Sequence, residues 1–262
     1  MTAHKPPVTR DPWAALRAHT PARIALGRAG ASLPTGEVLR FGQAHALARD
    51  AVHLALDVPA LEEALRSEGF ATCRVASAAP DRATYLLRPD LGRRLDESSA
   101  VRLQELQAGD ALQGCDLLLV AADGLSSLAV QRHVLPLARE VRARAPAGWR
   151  IGPVVIATQA RVALGDDIGA LLRPRLVAML IGERPGLSSP DSLGIYLTWA
   201  PQRGRTDAQR NCISNVRPEG LAYDKAAAKL WWLCTEAQRL QATGVALKDM
   251  SDAPALAAGD AP

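Results

Sequence analysis

The sequence is poor in the residues and spacings that mark most self-sufficient active sites. It has five histidines in 262 residues, and none of them stands in an HExxH motif or another paired metal-ligand spacing. It has no GxGxxG or GxxxxGK[ST] loop and no GxSxG elbow. These absences argue against a zinc hydrolase, a nucleotide-binding enzyme and an esterase of the nucleophile-elbow type.

Cysteine is also scarce, and its four copies occur singly, without the CxxC spacing of zinc or redox sites. Cys73, Cys115 and Cys234 have apolar neighbours, so we predict buried, reduced thiols there. Cys212 is the exception, because it lies among carboxamides, arginines and acids in RTDAQRNCISNVRPEG. A nucleophilic pair at Cys212 would have to recruit His133 or an N-terminal histidine from elsewhere in the fold.

Long hydrophobic runs are missing. No apolar stretch approaches the roughly 20 residues that span a bilayer, and the N-terminus MTAHKPPVTRDPW lacks the apolar centre of a signal peptide. We therefore expect a soluble cytoplasmic protein with no membrane partner.

Positive charge is in excess only near the N-terminus. Lys and Arg outnumber Asp and Glu by seven to three in residues 1–50, and each pair totals 24 in residues 51–262. Because the chain has no aromatic-interleaved basic patch, zinc-finger spacing or RNP-like motif, we predict protein docking for this segment and no nucleic-acid partner.

The chain divides into three parts by pattern. Residues 1–57 predict a small N-terminal helical and extended segment, with helices over 11–19 and 37–56. Residues 58–250 alternate helix and strand, which predicts an α/β domain with an open, mainly parallel sheet flanked by helices. Residues 251–262 predict a disordered tail. The predicted helices of the domain are 59–68, 97–108, 126–145, 165–173 and 223–242, and the predicted strands are 70–76, 83–87, 115–122, 152–160, 176–182 and 194–200.

Polar loops follow several of these strands. In parallel α/β sheets, ligands bind at the carboxyl ends of strands, which selects the loops after Ala122, Gln159, Gly182 and Ala200. Glu183 follows a strongly apolar strand, where it is either part of a solvated turn or an ion pair with Arg184, or an acceptor facing a strand-end crevice. The loops supply amide, carboxylate, hydroxyl and guanidinium groups but no evident proton-transfer pair, which indicates a binding wall for a large polar ligand.

Four long blocks of the sequence resemble one family, the small (light) chain of ethanolamine ammonia-lyase. They are RIALGRAGASLPTGEVLRFGQAHALARDAV, ATQARVALGDDIG, LIGERPGLSSPDSLGIYLTWAP and TDAQRNCISNVRPEGLAYDKAAAKL. The resemblance implies a subunit of an adenosylcobalamin-dependent lyase, which converts ethanolamine to acetaldehyde and ammonia by radical chemistry. It also implies a Rossmann-like domain that completes the cobalamin site against a catalytic large subunit.

The same resemblance places the cobalamin contacts at Val162, Glu183 and Cys212, with no catalytic or metal-ligating residue on this chain. It implies an assembly of six large and six small chains, and it leaves open a location inside a bacterial microcompartment. Since no DxHxxG motif is present, we expect cobalamin to keep its own dimethylbenzimidazole on the cobalt.

Two other classes of function remain open from the residues. One is a self-sufficient α/β binding module or hydrolase that uses Cys212. The other is a nucleic-acid binder that uses the basic N-terminus, which would show strongly salt-dependent affinity.

Overall fold

The computed structural model describes residues 8–108 and 115–251, and these form a mixed α/β structure around one sheet. Its elements, in chain order, are α1 Thr35–His53, α2 Val58–Ser67, β1 Thr72–Ala76, α3 Arg82–Leu87, α4 Glu97–Ala108, β2 Leu117–Ala122, α5 Ser127–Ala143, β3 Val154–Thr158, α6 Leu164–Leu172, β4 Leu176–Gly182, β5 Leu193–Trp199, β6 Asn211–Val216 and α7 Tyr223–Leu240. Short 3-10 helices lie at Ala14–His19, Leu91–Arg93, Asp207–Gln209 and Gly244–Ala246.

The sheet has six strands in the order β1-β3-β2-β4-β5-β6. The first four in this order are parallel, β5 is antiparallel to β4, and β6 is antiparallel to β5. The α/β class is therefore confirmed, but the sheet is mixed and a Rossmann-like arrangement is not established. The difference arises because β4 and β5 are joined by a loop without a crossover helix, which forces β5 to run back.

Two apolar clusters cover the two faces of the sheet. One lies under α2, α5 and α7 and includes Leu119, Leu180 and Leu230, while the other lies under α4 and α6 and includes Val120, Met179 and Ile168. Every residue of β2 and β4 is buried. This confirms the prediction that their continuous apolar runs form strands covered on both faces.

The strand predicted over residues 83–87 is wrong, because these residues form α3. Asp81 caps the helix by accepting a hydrogen bond from the Thr84 backbone N–H at 2.7 Å. The Ala-Thr-Tyr-Leu-Leu stretch contains good strand formers, but the cap and the burial of Tyr85 stabilise a helix instead.

The long polar loop predicted over residues 201–220 is also wrong in part, because it contains β6. The strand was missed because only Ile213 and Val216 of its six residues are buried. In addition, the loop after Ala200 lies at the opposite edge of the sheet from the carboxyl ends of the parallel strands, because β5 runs antiparallel to them.

The N-terminal segment forms little core of its own, as predicted from its sequence. The helix predicted at 11–19 is a short 3-10 helix, and the helix predicted at 37–56 is α1, of which only Ala51 is buried. The predicted disordered tail lies, apart from Ser251, outside the described residues. None of the helices in the described ranges is long and apolar enough to cross a membrane.

Candidate functional site

A groove of about 550 Å³ opens at the carboxyl edge of the parallel strands, and we call it the strand-end groove. Its walls come from α3, from the loops after β2, β3 and β4, and from β5 and β6. The lining residues are Tyr85, Gly124, Leu125, Arg161, Val162, Ile181, Gly182, Glu183, Arg184, Tyr196 and Ser214.

Strand β6 reaches this groove because the chain reverses twice after β4. Leu193 pairs with both Gly182 and Val216, so the end of β6 lies level with the end of β4. A loop from the opposite edge therefore returns as a strand whose carboxyl end joins the groove. Local sequence could not show this, because strand direction depends on pairing across the sheet.

Cys212 and Ser214 alternate with buried Ile213 and so face the α6 side of the sheet. Cys212 pairs across the strands with Tyr196, and its sulfur lies 3.3 Å from Ser214 Oγ. Burial raises the pKa of Tyr196, and the Cys212 thiol beside it raises it further. Cys212 is exposed and adjoins two lining residues, although it does not itself line the groove.

Glu183 links the end of β4 to the end of β6. Its carboxylate accepts hydrogen bonds from Ser192 Oγ and, at 3.3 Å, from the Asn215 backbone N–H. No ion pair forms between Glu183 and Arg184 within the part of the chain that is described, so that alternative is not realised. The carboxylate lines the groove, half-buried, as the acceptor alternative predicts.

Val162 reaches the groove through a turn held by Asp123, a buried side chain that the sequence did not single out. Asp123 accepts hydrogen bonds from the backbone N–H groups of Gln159 at 2.8 Å and Ala160 at 2.9 Å, where Gln159 has a φ of 54°. Burial raises the pKa of Asp123, against the lowering effect of these donors and of Arg82. The neighbouring Gly124 has a φ of 56°, and a Cβ there would lie 2.2 Å from the Gly182 carbonyl oxygen.

A buried ion pair outside the groove lining joins the start of β6 to α6. Arg210 donates two hydrogen bonds of 2.7 Å to Asp166, in the first turn of α6, and one of 3.0 Å to Thr198 Oγ1. Arg210 is 7% and Asp166 is 3% exposed. Because Arg210 directly precedes β6, the pair holds the start of that strand beside α6, the helix that follows Val162. The two partners are 44 residues apart, so no local pattern could have revealed them.

The opposite wall of the groove contains Tyr85, whose ring has two guanidinium groups nearby. The distance from the guanidinium carbon to the Tyr85 ring centroid is 4.8 Å for Arg82 and 4.7 Å for Arg161. The Tyr85 hydroxyl donates to the Ala160 carbonyl at 3.1 Å, and burial raises the pKa of Tyr85 to about 12. We call Arg82, Tyr85, Asp123, Gln159 and Arg161 the Tyr85 wall. Sequence reasoning missed it because α3 was assigned as a strand.

The geometry does not pair Cys212 with His133. His133 is buried on α5, on the other face of the sheet, where its Nδ1 lies 2.8 Å from the Tyr223 hydroxyl. No histidine is among the groove-lining residues. Within the described ranges, no group of three or more His, Cys, Asp and Glu residues could hold a metal ion.

The fold and the groove thus define an α/β protein with a groove at the carboxyl ends of its parallel strands and no Cys212–His133 pair. Residues 10–248 match the family model described as ethanolamine ammonia-lyase light chain (EutC), and the chain belongs to that family.

Curated relatives align over nearly the whole chain. The ethanolamine ammonia-lyase small subunit of Pseudomonas aeruginosa (strain UCBPP-PA14) is 58% identical over 253 residues, covering 96% of this chain and 92% of that protein. The protein of the same name from Ralstonia nicotianae is 57% identical over 256 residues, covering 96% and 93%. That from Azotobacter vinelandii is 57% identical over 258 residues, covering 98% and 95%. The resemblance stated from the sequence is confirmed.

Proposed function

We propose that this chain is the small subunit of an adenosylcobalamin-dependent ethanolamine ammonia-lyase and that its strand-end groove forms one side of the cobalamin site. In this proposal Val162, Glu183 and Cys212 contact the cofactor, and the catalytic groups for ethanolamine lie on a large subunit. The main support for the proposal is that the three elements bearing these residues meet at one groove.

The residues of the groove fit the chemistry of cobalamin. A corrin presents a broad apolar face bordered by amide side chains. The groove offers Leu125, Val162 and Ile181 for apolar contact and the Glu183 carboxylate as an acceptor for amide N–H groups. When bound, adenosylcobalamin supplies the radical chemistry, while the residues of this chain hold the corrin and exclude water from one side of it.

The size of the groove indicates that the chain does not enclose the cofactor alone. A cleft of about 550 Å³ suits a drug-sized ligand, and cobalamin is considerably larger. A second protein surface is therefore needed, which agrees with a large subunit in the proposed assembly of six large and six small chains. The proposal extends to a cytoplasmic enzyme, free or in a microcompartment.

The N-terminal segment, residues 8–57, offers a docking surface for that large subunit. It is fastened beside the groove by hydrogen bonds from Arg82 to the Val52 carbonyl at 2.8 Å and from Arg23 to the Leu187 carbonyl at 3.2 Å. Its apolar side chains remain largely uncovered, and partner burial would remove them from water. The exposed large apolar residues of the segment are Val8, Trp13, Leu16, Ile24, Leu33, Val38, Leu39, Phe41, Leu47 and Leu54.

The test is reconstitution of the full chain with the large subunit of an ethanolamine ammonia-lyase. We expect the two to co-purify and to release ammonia from ethanolamine only when adenosylcobalamin is present. Val162→Asp should raise the Kd for cobalamin more than tenfold by placing a charge in the groove. Val101→Asp is the matched control, since Val101 is 53% exposed on α4.

Two results would contradict the proposal. One is the failure of the native chain to bind a large subunit. The other is turnover by the isolated chain that stops when Cys212 is alkylated, which would favour a self-sufficient hydrolase.

The axial ligand is tested separately. Because no histidine lines the groove, we propose that no histidine of this chain would replace the cofactor's own dimethylbenzimidazole. The electron paramagnetic resonance spectrum of the cob(II)alamin complex should not change when histidine is labelled with ¹⁵N.

A further inference from the structure

Three buried polar atoms of the Tyr85 wall have no hydrogen-bond partner within the described chain. They are Arg82 Nη2, Arg161 Nε and Gln159 Oε1. Buried polar atoms in folded proteins are nearly always paired, so each unpaired one calls for an explanation. Of the three residues, only Arg161 lines the strand-end groove.

The charges of the Tyr85 wall are also out of balance. Its two guanidinium groups face a single carboxylate, Asp123, whose Oδ2 lies 3.3 Å from Arg82 Nη1. Arg161 has no carboxylate within ion-pairing distance in the described part of the chain. Its Nη2 instead donates to the Tyr85 carbonyl at 3.3 Å. Arg161 is thus a half-buried cation without a counter-ion, an arrangement that costs free energy unless a ligand supplies the anion.

We propose that Arg161 binds the phosphodiester of the cobalamin nucleotide loop. This inference rests on the proposed function of the groove. The phosphodiester is the anionic group on the periphery of cobalamin, whereas the corrin side chains end in neutral amides. A guanidinium group donates several N–H bonds in a plane that suits phosphate oxygens, and such charge-assisted bonds are the stronger kind.

The rest of the groove favours the Tyr85 wall as the place for this anion. Glu183 puts a carboxylate on the side formed by β4 and β6, which would repel a phosphodiester. Arg184 also lines the groove, but it is exposed, so water screens its charge. Arg161 is held in place on the Tyr85 ring, and little ordering remains to be done when a ligand binds.

The test compares two ligands on the reconstituted complex of the full chain and a large subunit. Cyanocobalamin carries the phosphodiester, and dicyanocobinamide lacks it. Spectroscopic titration of Arg161→Gln should show at least a tenfold rise in the Kd for cyanocobalamin, with the Kd for dicyanocobinamide within twofold of the native value. Arg161→Lys keeps the positive charge and should recover part of the lost affinity.

Arg94→Gln serves as the matched control, because it makes the same change of charge at an exposed arginine outside the groove lining. We expect it to leave both Kd values within twofold. The native affinity for cyanocobalamin should also fall as salt is added, and Arg161→Gln should reduce that dependence.

The inference is overturned if Arg161→Gln weakens both ligands equally, since Arg161 would then hold amide groups or the wall itself. It is likewise overturned if Arg161→Gln leaves cyanocobalamin binding unchanged. A native complex that binds neither ligand would instead refute the proposed function. Urea unfolding of the variant chain shows whether the wall has stayed folded.

Discussion

The two phenylalanines of the chain lie in its two unlike regions. Phe70, between α2 and β1, is 7% exposed, and the Arg142 guanidinium lies 4.0 Å from its ring centroid. Phe41, on α1, is 48% exposed, and the Arg23 guanidinium lies 6.0 Å from its ring centroid. We call residues 58–251 the body. A phenylalanine with an arginine neighbour is thus part of the core in the body, whereas it lies on the surface in the N-terminal segment.

The difference teaches that only the body buries its own apolar residues. The body covers its own apolar residues on both faces of the sheet. Helix α1 has only Ala51 buried. Helices in proteins draw most of their stability from tertiary packing, and α1 has little of it. The segment therefore exposes an apolar surface next to the groove, as a docking element would.

The largest expected effect is in the body, at the Arg210–Asp166 ion pair. Arg210→Met should lower the free energy of unfolding by about 3–5 kcal/mol, because it leaves the Asp166 carboxylate buried without its partner. Urea unfolding of the isolated chain measures this. The double variant with Asp166→Leu should recover most of the loss, and Asp207→Asn, at a side chain that is 91% exposed, should cost under about 0.5 kcal/mol. Equal costs for the Asp207 and Arg210 variants would contradict the assignment.

The phenylalanines provide the most direct comparison. Phe70→Ala should lower the free energy of unfolding by about 3 kcal/mol, since it opens a cavity in the core. Phe41→Ala should lower it by less than about 0.5 kcal/mol, because the ring is already half in water. The same urea experiment measures both. The contrast between the two regions fails if the two losses are similar.

A smaller effect is expected from pH, and only in the body. Burial lowers the pKa of His133, although Asp191 opposes the shift. The unfolded chain therefore binds the proton more readily, and stability should fall as the pH drops below about 6.5, with a slope of at most about 1.4 kcal/mol per pH unit. Burial by itself would raise the pKa of Asp191, but Arg132, His133 and Arg217 outweigh it and lower that pKa, so its contribution is lost at more acidic pH.

His133→Gln should remove the slope between pH 7 and 5.5 in a series of urea titrations. His53→Gln, at an exposed histidine of α1, is the matched control and should keep it. A slope that survives in the His133 variant would mean that other groups carry the acid sensitivity.

The smallest effect on the isolated chain should come from removing the N-terminal segment. Deletion of residues 1–50 should change the free energy of unfolding of the body by less than about 1 kcal/mol, because the deleted part shares little core with it. The same deletion should abolish co-purification with the large subunit. Unchanged assembly would count against the docking role of the segment.

The elements that could be predicted from the sequence are those whose burial follows from the residues of the element itself. The strand ends near Val162 and Glu183 followed from continuous apolar runs, since a strand buried on both faces shows no alternation. Strand β6 could not be predicted from Asn211–Val216, because an edge strand with only two buried residues resembles a loop. The Arg210–Asp166 pair and the Tyr85 wall join distant stretches of chain, and only the folded topology brings them together.

The order of the strands also has a consequence for synthesis. Strands β4, β5 and β6 follow one another and pair with their neighbours in sequence, whereas β1 must wait for β3, because Thr72 pairs with Val154. Pairings between distant stretches form slowly, and chains fold as they emerge from the ribosome. The groove draws on α3, on the loops after β2, β3 and β4, and on β5 and β6, so it is complete only after β6 has been made. A nascent chain can thus hold most of its sheet while the groove is still incomplete.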